Sequence, residues 1–227
     1  MSAHDPTRIA SSPVQVAKGA VVLSLSETHA LCAKAARGVG FDWGHAEEAG
    51  HAAAWLAART LPGCALILRR LQMGPDALTP AHSVQCPLRI GVALVDHVNL
   101  PEAAQDYARL VNIALPGLVL PFVGLAARLR GADLGVVANG QDFGLHADGT
   151  APNFAAMSAF CDLPVGDIRL KFGPRQMPPV PQKKTCAPLR STPMDIWRAL
   201  DALALRVTVP PSDHSLGGAG GDGSDND

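Results

Sequence analysis

A helix-start signal near the beginning of the chain constrains its fold more than any other feature. Ser24 and Glu27 form an S-x-x-E capping box directly after the apolar residues 21–23. In such a box the serine oxygen accepts a hydrogen bond from the backbone N–H of the glutamate, whose side chain reaches back to the cap. The box predicts a first helix that continues to Arg37 and ends at Gly38, because glycine often closes a helix.

A second helix should follow at once. Asp42 is a good N-cap, and the helix should run to about Arg59, before residues 61–63 (Leu-Pro-Gly) stop it. Small residues recur on one side of this helix at spacings of four, three and four: they are Ala46, Gly50, Ala53 and Ala57. Such a stripe lets another helix approach closely, so we expect the two helices to pack as a hairpin.

The rest of the chain alternates apolar runs with turn residues, which predicts further strands and helices. The expected strands are residues 88–95, 117–123, 134–138, 167–172 and 206–209. The expected helices are residues 102–110 and 194–205, with a Pro-rich loop over 173–193. The predicted fold class is α/β or α+β, with an N-terminal helical hairpin packed on a mixed β-sheet.

This pattern fits a single globular domain over residues 21–209. We expect a flexible lead-in at residues 1–20 and a Gly/Asp-rich tail at residues 210–227, since neither carries enough apolar side chains to bury.

Charge and composition exclude several classes of protein. The net charge of −1 and the single tyrosine argue against nucleic-acid binding. The most apolar run, residues 115–127, holds two prolines and is shorter than the roughly 20 residues of a membrane helix. The five cysteines include no C-x-x-C pair, and no signal peptide is visible, so we expect a soluble cytoplasmic protein with reduced thiols.

The candidate catalytic residues are Glu47, Glu48 and His51. Glu47 and His51 are one turn apart on the second helix, with Glu48 alongside. A carboxylate one turn before a histidine can orient its imidazole for general acid–base catalysis. Trp43 would form an apolar wall beside them. The alternative is a solvated helix face with ordinary pairs at i and i+4.

A metal site is not indicated on this helix. His45 lies about 120° around the helix from His51, so the two cannot bind one ion together. Their H-x₅-H spacing also differs from the H-E-x-x-H of metalloproteases. The sequence predicts no metal, and it does not identify a cofactor.

Two further groups come second as site candidates. Asp96-His97 follows the expected strand 88–95, and Asp142 and His146 follow the expected strand 134–138. Loops after strands often line the crevice of an α/β fold, although the same residues are common in plain turns.

Residues 35–50 and 218–227 resemble an uncharacterised bacterial family, the domain of unknown function 3726. The resemblance lies in a W-G-x-A-E-E core and a Gly-rich end that closes in D-N-D. It implies that the tail has a role, so the candidate ligand-binding residues are Trp43, Gly218, Gly220, Asp225, Asn226 and Asp227.

A weaker resemblance is to the amino-terminal helices of the malate/L-lactate dehydrogenases, which also place a glycine turn between two helices. That family has a Ser-His-Gly motif soon afterwards, whereas residues 61–64 read Leu-Pro-Gly-Cys here. The catalytic histidine of that family therefore has no counterpart at this position.

These patterns favour a small-molecule metabolic enzyme of the bacterial cytosol, or an accessory subunit of one. Its site would lie between helix 43–59 and the tail. The alternatives are a non-catalytic interaction module whose tail docks into a partner, and an oxidoreductase distantly like the dehydrogenases above. The expected partners are a small-molecule ligand and a second copy or partner subunit, without nucleic acid or membrane.

Overall fold

The computed structural model describes residues 19–76, 84–98, 107–138, 140–146, 154–173 and 190–207. Seven α-helices lie in this part of the chain: α1 Leu25–Val39, α2 Trp43–Ala58, α3 Gly63–Gln72, α4 Pro87–His97, α5 Leu120–Arg130, α6 Phe154–Asp162 and α7 Met194–Ala204. The strands are β1 Ala20–Leu23, β2 Tyr107–Ala114, β3 Asp133–Ala138, β4 Gln141–Leu145, β5 Val165–Gly173 and β6 Arg190–Pro193. Short 3₁₀ turns cover Pro116–Val119 and Leu205–Val207.

The capping box that starts α1 is confirmed. The backbone N–H of Glu27 donates to Oγ of Ser24 at 3.1 Å, and Ser24 N–H donates to Glu27 Oε2 at 2.7 Å. The predicted end at Gly38 was wrong, since Gly40 closes the helix in the left-handed conformation, with φ of 105°. Gly38 instead lies where a Cβ would come 1.8 Å from the carbonyl oxygen of Leu203, so it allows α7 to cross α1 closely.

The N-cap of α2 and the small-residue stripe are also confirmed. Asp42 accepts a hydrogen bond from the backbone N–H of His45, and the four stripe residues are buried. The closest approach is at Gly50, where a Cβ would lie 2.7 Å from the carbonyl oxygen of His29 and 3.0 Å from Cβ of Ala33. Helices α1 and α2 therefore form the expected hairpin, and their backbones approach closely at Gly50.

The predicted strand over residues 88–95 was wrong, because this segment belongs to α4. Pro87 occupies the first turn, where a missing N–H costs nothing. The exposed positions Arg89, Ala93 and Asp96 recur at helical spacing, while Gly91 admits the ring of Phe122 at the place of its own missing Cβ. A continuous apolar run does not distinguish a buried strand from a buried helix.

The predicted strand over residues 117–123 was wrong for the same reason. Pro116–Val119 is a 3₁₀ turn, and α5 begins at Leu120 with Pro121 in its first turn. Nearly every side chain from Leu120 to Ala127 is buried, so no polar face marks the helical period.

Three other boundaries differ from the prediction. Residues 107–110 belong to β2 rather than to a helix over 102–110, because β5 pairs with them; residues 102–106 lie outside the described part. Residues 190–193, expected in a loop, form β6, which pairs with β1. Arg206 and Val207 lie in the 3₁₀ turn after α7 rather than in a strand.

The strands form a four-stranded sheet in the order β2-β5-β3-β4 and a two-stranded ribbon of β1 and β6. All of these ladders are antiparallel; a parallel bridge joins Gln85 to Ile113. The predicted strands 134–138 and 167–172 and the helix 194–205 are confirmed within a few residues. The fold class is α+β, as expected.

A continuous core joins the helices to the inner face of the larger sheet, where β5 alternates buried and exposed residues along its length. The cysteines of the described residues, Cys32, Cys64, Cys86 and Cys161, are buried and free. None of the helices in the described part combines the length and apolarity that crossing a membrane takes.

Candidate functional site

The hairpin brings a histidine from α1 to the candidate carboxylate on α2. Nε2 of His29 lies 3.2 Å from Oε1 of Glu47. The His29 side chain is 24% exposed and that of Glu47 is 54% exposed, so the pair opens to solvent on its glutamate side. Nε2 itself is shielded from solvent, and its contact with Glu47 does not have hydrogen-bond geometry.

The second candidate pair lies one turn further along the same face. Nδ1 of His51 is 3.8 Å from Oε1 of Glu48, a looser contact in which the His51 side chain is 59% exposed and that of Glu48 is 36% exposed. The rings of His51 and His29 meet at a centroid distance of 4.6 Å and a tilt of 45°. The two histidines therefore connect Glu47 and Glu48 into one row of ionisable groups.

Three of these side chains converge. One ligand atom each from His29, Glu47 and His51 lies within 4.8 Å of the other two. The sequence pattern identified Glu47 and His51 but missed His29, which is separated from them by most of α1. The small-residue stripe was the available signal, because Gly50 on that stripe packs directly against His29.

His45 is held away from this group, as the helical geometry predicted. Its Nδ1 lies 2.7 Å from Oδ2 of the N-cap residue Asp42. The pKa of the Asp42 carboxyl is lowered, chiefly by the hydrogen bond from the backbone N–H of His45 and then by the His45 side chain.

A cavity of about 620 Å³ opens beside the pair of His29 and Glu47. Ala30, Ala33 and Ala46 form its apolar floor, and Lys34, Arg37 and Trp43 stand around it. The Trp43 side chain is 76% exposed, and Cζ of Arg37 lies 4.4 Å from the centre of its ring. The apolar wall predicted for Trp43 is thus an indole at the rim of this cavity.

Glu48 and His51 border a second cavity, of about 470 Å³, on the other side of the row. Trp55, Arg59 and Arg128 also line it, and Cζ of Arg59 lies 3.6 Å from the centre of the Trp55 ring. Burial lowers the pKa of Arg59 to about 10. Each of the three candidate catalytic residues therefore lines one of these two cavities.

The other candidates are more scattered. Asp96 and His97 are exposed at the end of α4, not at the end of a strand. His146 does not meet Asp142; its Nδ1 lies 3.2 Å from Oδ2 of Asp133. The candidate ligand-binding residues of the tail lie outside the described residues: Gly218, Gly220, Asp225, Asn226 and Asp227.

A thiol site that the sequence pattern missed lies where Cys32 of α1 meets Cys64 of α3. Cys64 lines a cavity of about 410 Å³ together with Thr192, whose Oγ1 donates to the Cys64 sulfur at 3.8 Å. The hydrogen bond from the Cys32 side chain, with a smaller contribution from Thr192, lowers the pKa of Cys64 to about 7. The same contact and complete burial raise the pKa of Cys32 well above its ordinary value.

The comparisons with known proteins bear on the N-terminal part of the chain. Residues 23–118 match the model of a family described as "Protein of unknown function (DUF3726)". The matched segment contains the whole α1–α2 hairpin, so the family expected from the sequence is confirmed. No curated protein and no solved structure matches the chain.

Proposed function

Since residues 23–118 match the DUF3726 family model, we propose that the hairpin within that segment carries the site of a small-molecule metabolic enzyme, or of an accessory subunit of one. We place this protein in the bacterial cytosol. The observation that carries the proposal is the contact of His29 with Glu47 at 3.2 Å beside a cavity of about 620 Å³.

The chemistry that these groups support is proton transfer. A carboxylate and an imidazole in contact can exchange a proton with a substrate held next to them. Glu47 lines the larger cavity, whereas Glu48 lies 3.8 Å from Nδ1 of His51, whose ring meets that of His29. Glu47 or Glu48 would act as the acid or base, with the histidines as its partners.

The cavity also favours a class of substrate. Lys34 and Arg37 supply two positive charges at its edge, and Trp43 offers a flat apolar surface. Cationic side chains of this kind bind carboxylate or phosphate groups. We therefore propose a small anionic substrate whose apolar part rests against Trp43.

The C-terminal tail is part of the proposal. Val207, the last described residue, lines the same cavity as Glu47 and Trp43, and the tail follows it in the sequence. Glycines let backbone N–H groups come close to a ligand. Residues 218–227 would then close over a ligand bound in the cavity.

A thermal-shift screen with small carboxylates and phosphorylated metabolites tests this function. A compound that stabilises the wild-type chain should stabilise Glu47→Gln and Glu48→Gln less, since both substitutions keep the size of the side chain and remove its charge. Asp96→Asn is the matched control, because Asp96 is exposed at the end of α4 and away from the cavity. An unchanged response in both glutamine variants removes these residues from the site.

Truncation after Pro211 separates an enzyme from the alternative of an interaction module. A tail that closes over the cavity predicts altered hydrogen exchange in α1 and α2 of the isolated chain when it is removed. A tail that docks into a partner predicts no change in the isolated chain and a loss of binding when the partner is present.

A further inference from the structure

We propose that His29, Glu47 and His51 bind one divalent transition-metal ion, with Zn²⁺ as the best match. This inference deepens the proposed function, since it adds a cation to the same site, but its first test does not depend on any activity.

The spacing of the ligand atoms supports the ion. In a tetrahedral zinc site each nitrogen or oxygen ligand lies about 2.0–2.2 Å from the metal, which places two ligands roughly 3.3 Å apart. His29 Nε2 and Glu47 Oε1 are 3.2 Å apart, already at this separation. The third ligand atom, on His51, lies within 4.8 Å of the others, and this side chain is 59% exposed.

The environment of His29 is compatible with this arrangement. Its Nε2 atom is shielded from solvent and makes no hydrogen bond, although Glu47 is 3.2 Å away. A shielded ring nitrogen without a hydrogen bond is unfavourable, because burial of a polar atom costs free energy unless a partner compensates for it. An ion bound between the imidazole and the carboxylate would supply that partner.

The donor set selects the class of ion. Two imidazoles and one carboxylate suit zinc and its transition-metal neighbours, whereas magnesium and calcium prefer oxygen ligands throughout. The same composition, two histidines and a glutamate, occurs in catalytic zinc sites that keep an open position. Here the open side would face the cavity beside Trp43, where a substrate could reach the metal.

The residues around the group fit the same assignment. Glu48 lies 3.8 Å from Nδ1 of His51, and a small side-chain rotation would let it accept a hydrogen bond from that ring as a positioning residue. His45 is occupied by Asp42 at the N-terminus of α2 and does not belong to the ligand set.

Titration of the untagged, metal-free chain with ZnCl₂ in a calorimeter tests the site. We expect one ion per chain, and at least about tenfold weaker binding in each of His29→Gln, Glu47→Gln and His51→Gln. His45→Gln is the matched control, a histidine of the same helix outside the group, and should bind as the wild type does. Glu47 and His51 are more than half exposed, so their variants should fold, and thermal unfolding checks all three variants.

Wild-type affinity in all three ligand variants, or no zinc binding by the wild type, would overturn the proposal. The thermal-shift screen distinguishes this failure from failure of the proposed function. If the wild type binds zinc but the metabolite response is unchanged in the glutamine variants, the metal site stands and the proposed enzymatic function fails. If the metabolite response is lost in Glu47→Gln but the wild type binds no zinc, the proposed enzymatic function stands and the metal site fails.

Discussion

A Cβ atom on Gly50 would lie 2.7 Å from the carbonyl oxygen of His29 and 3.0 Å from Cδ2 of its ring. The missing side chain at Gly50 therefore fixes how close α1 comes to α2. It also fixes where the His29 imidazole stands relative to Glu47. The stripe that holds the hairpin together and the group of ionisable residues on its surface are consequences of one packing contact.

Gly50→Ala should push the two helices apart and move His29. We expect a loss of about 1–3 kcal/mol in the free energy of unfolding, because an added methyl group in a tightly packed contact forces the backbone to shift. Gly44→Ala is the control on the same helix, since a Cβ there meets only Oδ1 of Asp42 at 3.5 Å. That variant should gain about 0.5–1 kcal/mol, from the helix propensity of alanine over glycine. Urea unfolding measures both, and equal effects would contradict the packing contact.

Cys64 should react with iodoacetamide through a thiolate that forms near neutral pH. Its pKa of about 7 lies below that of an ordinary thiol, so the thiolate fraction, and with it the rate, should rise as the pH increases through 7. Cys32→Ala removes the main cause of the lowering and should move this midpoint upward. Mass spectrometry reports the modification at each cysteine.

Cys161 is an internal control in that experiment, because burial raises its pKa to about 12. It should stay unmodified in the folded protein at every pH where Cys64 reacts. A Cys64 rate that begins to rise only well above neutral pH, in the wild type, would show that Cys32 does not lower its pKa.

Arg70 should be essential to stability although it is charged. It is fully buried, and it donates to the carbonyl oxygens of Gly74 at 2.7 Å and Pro75 at 3.4 Å and to the Cys86 sulfur at 3.2 Å. Arg70→Met keeps most of the volume but leaves these acceptors without a donor. We expect a loss of about 2–3 kcal/mol, measured by urea unfolding.

Arg69→Met provides the comparison for Arg70. Arg69 is the exposed neighbour on α3, and its replacement should change the free energy of unfolding by less than about 0.5 kcal/mol. Similar losses in the two variants would mean that the hydrogen bonds of Arg70 contribute little.

The local signals at the N-terminus predicted the fold well because they act within a few residues. The capping box at Ser24 and the N-cap at Asp42 depend on hydrogen bonds to the next turn of the chain, and both formed as expected. The alternation of buried and exposed residues in β5 is likewise a local consequence of strand geometry.

Elements with long apolar runs could not be predicted in this way. Helices α4 and α5 pack against each other through Gly91 and Phe122. Residues 120–127 of α5 carry no polar face, and in α4 only a few exposed positions interrupt the apolar run. Tertiary packing decides between helix and strand in such runs. Strand β1 was missed because β6, its partner, is distant in the sequence.

Only part of the candidate site could be predicted from the sequence, for a similar reason. Glu47, Glu48 and His51 lie on one helix, so their spacing placed them together. His29 joins them only through the contact between α1 and α2. The small-residue stripe predicted that contact, but not which residues of α1 would lie opposite which residues of α2. The thiol pair of Cys32 and Cys64 also requires two helices to meet, and no motif marks it.

The most direct test of the account is an NMR titration of the histidine ring nitrogens with zinc. His→Gln variants assign the signals of His29, His45 and His51. We expect the His29 and His51 signals to change together and to saturate at one ion per chain, while the His45 signal stays in place. A His45 signal that follows the other two, or His29 and His51 signals that respond separately, would contradict a single site built by the hairpin.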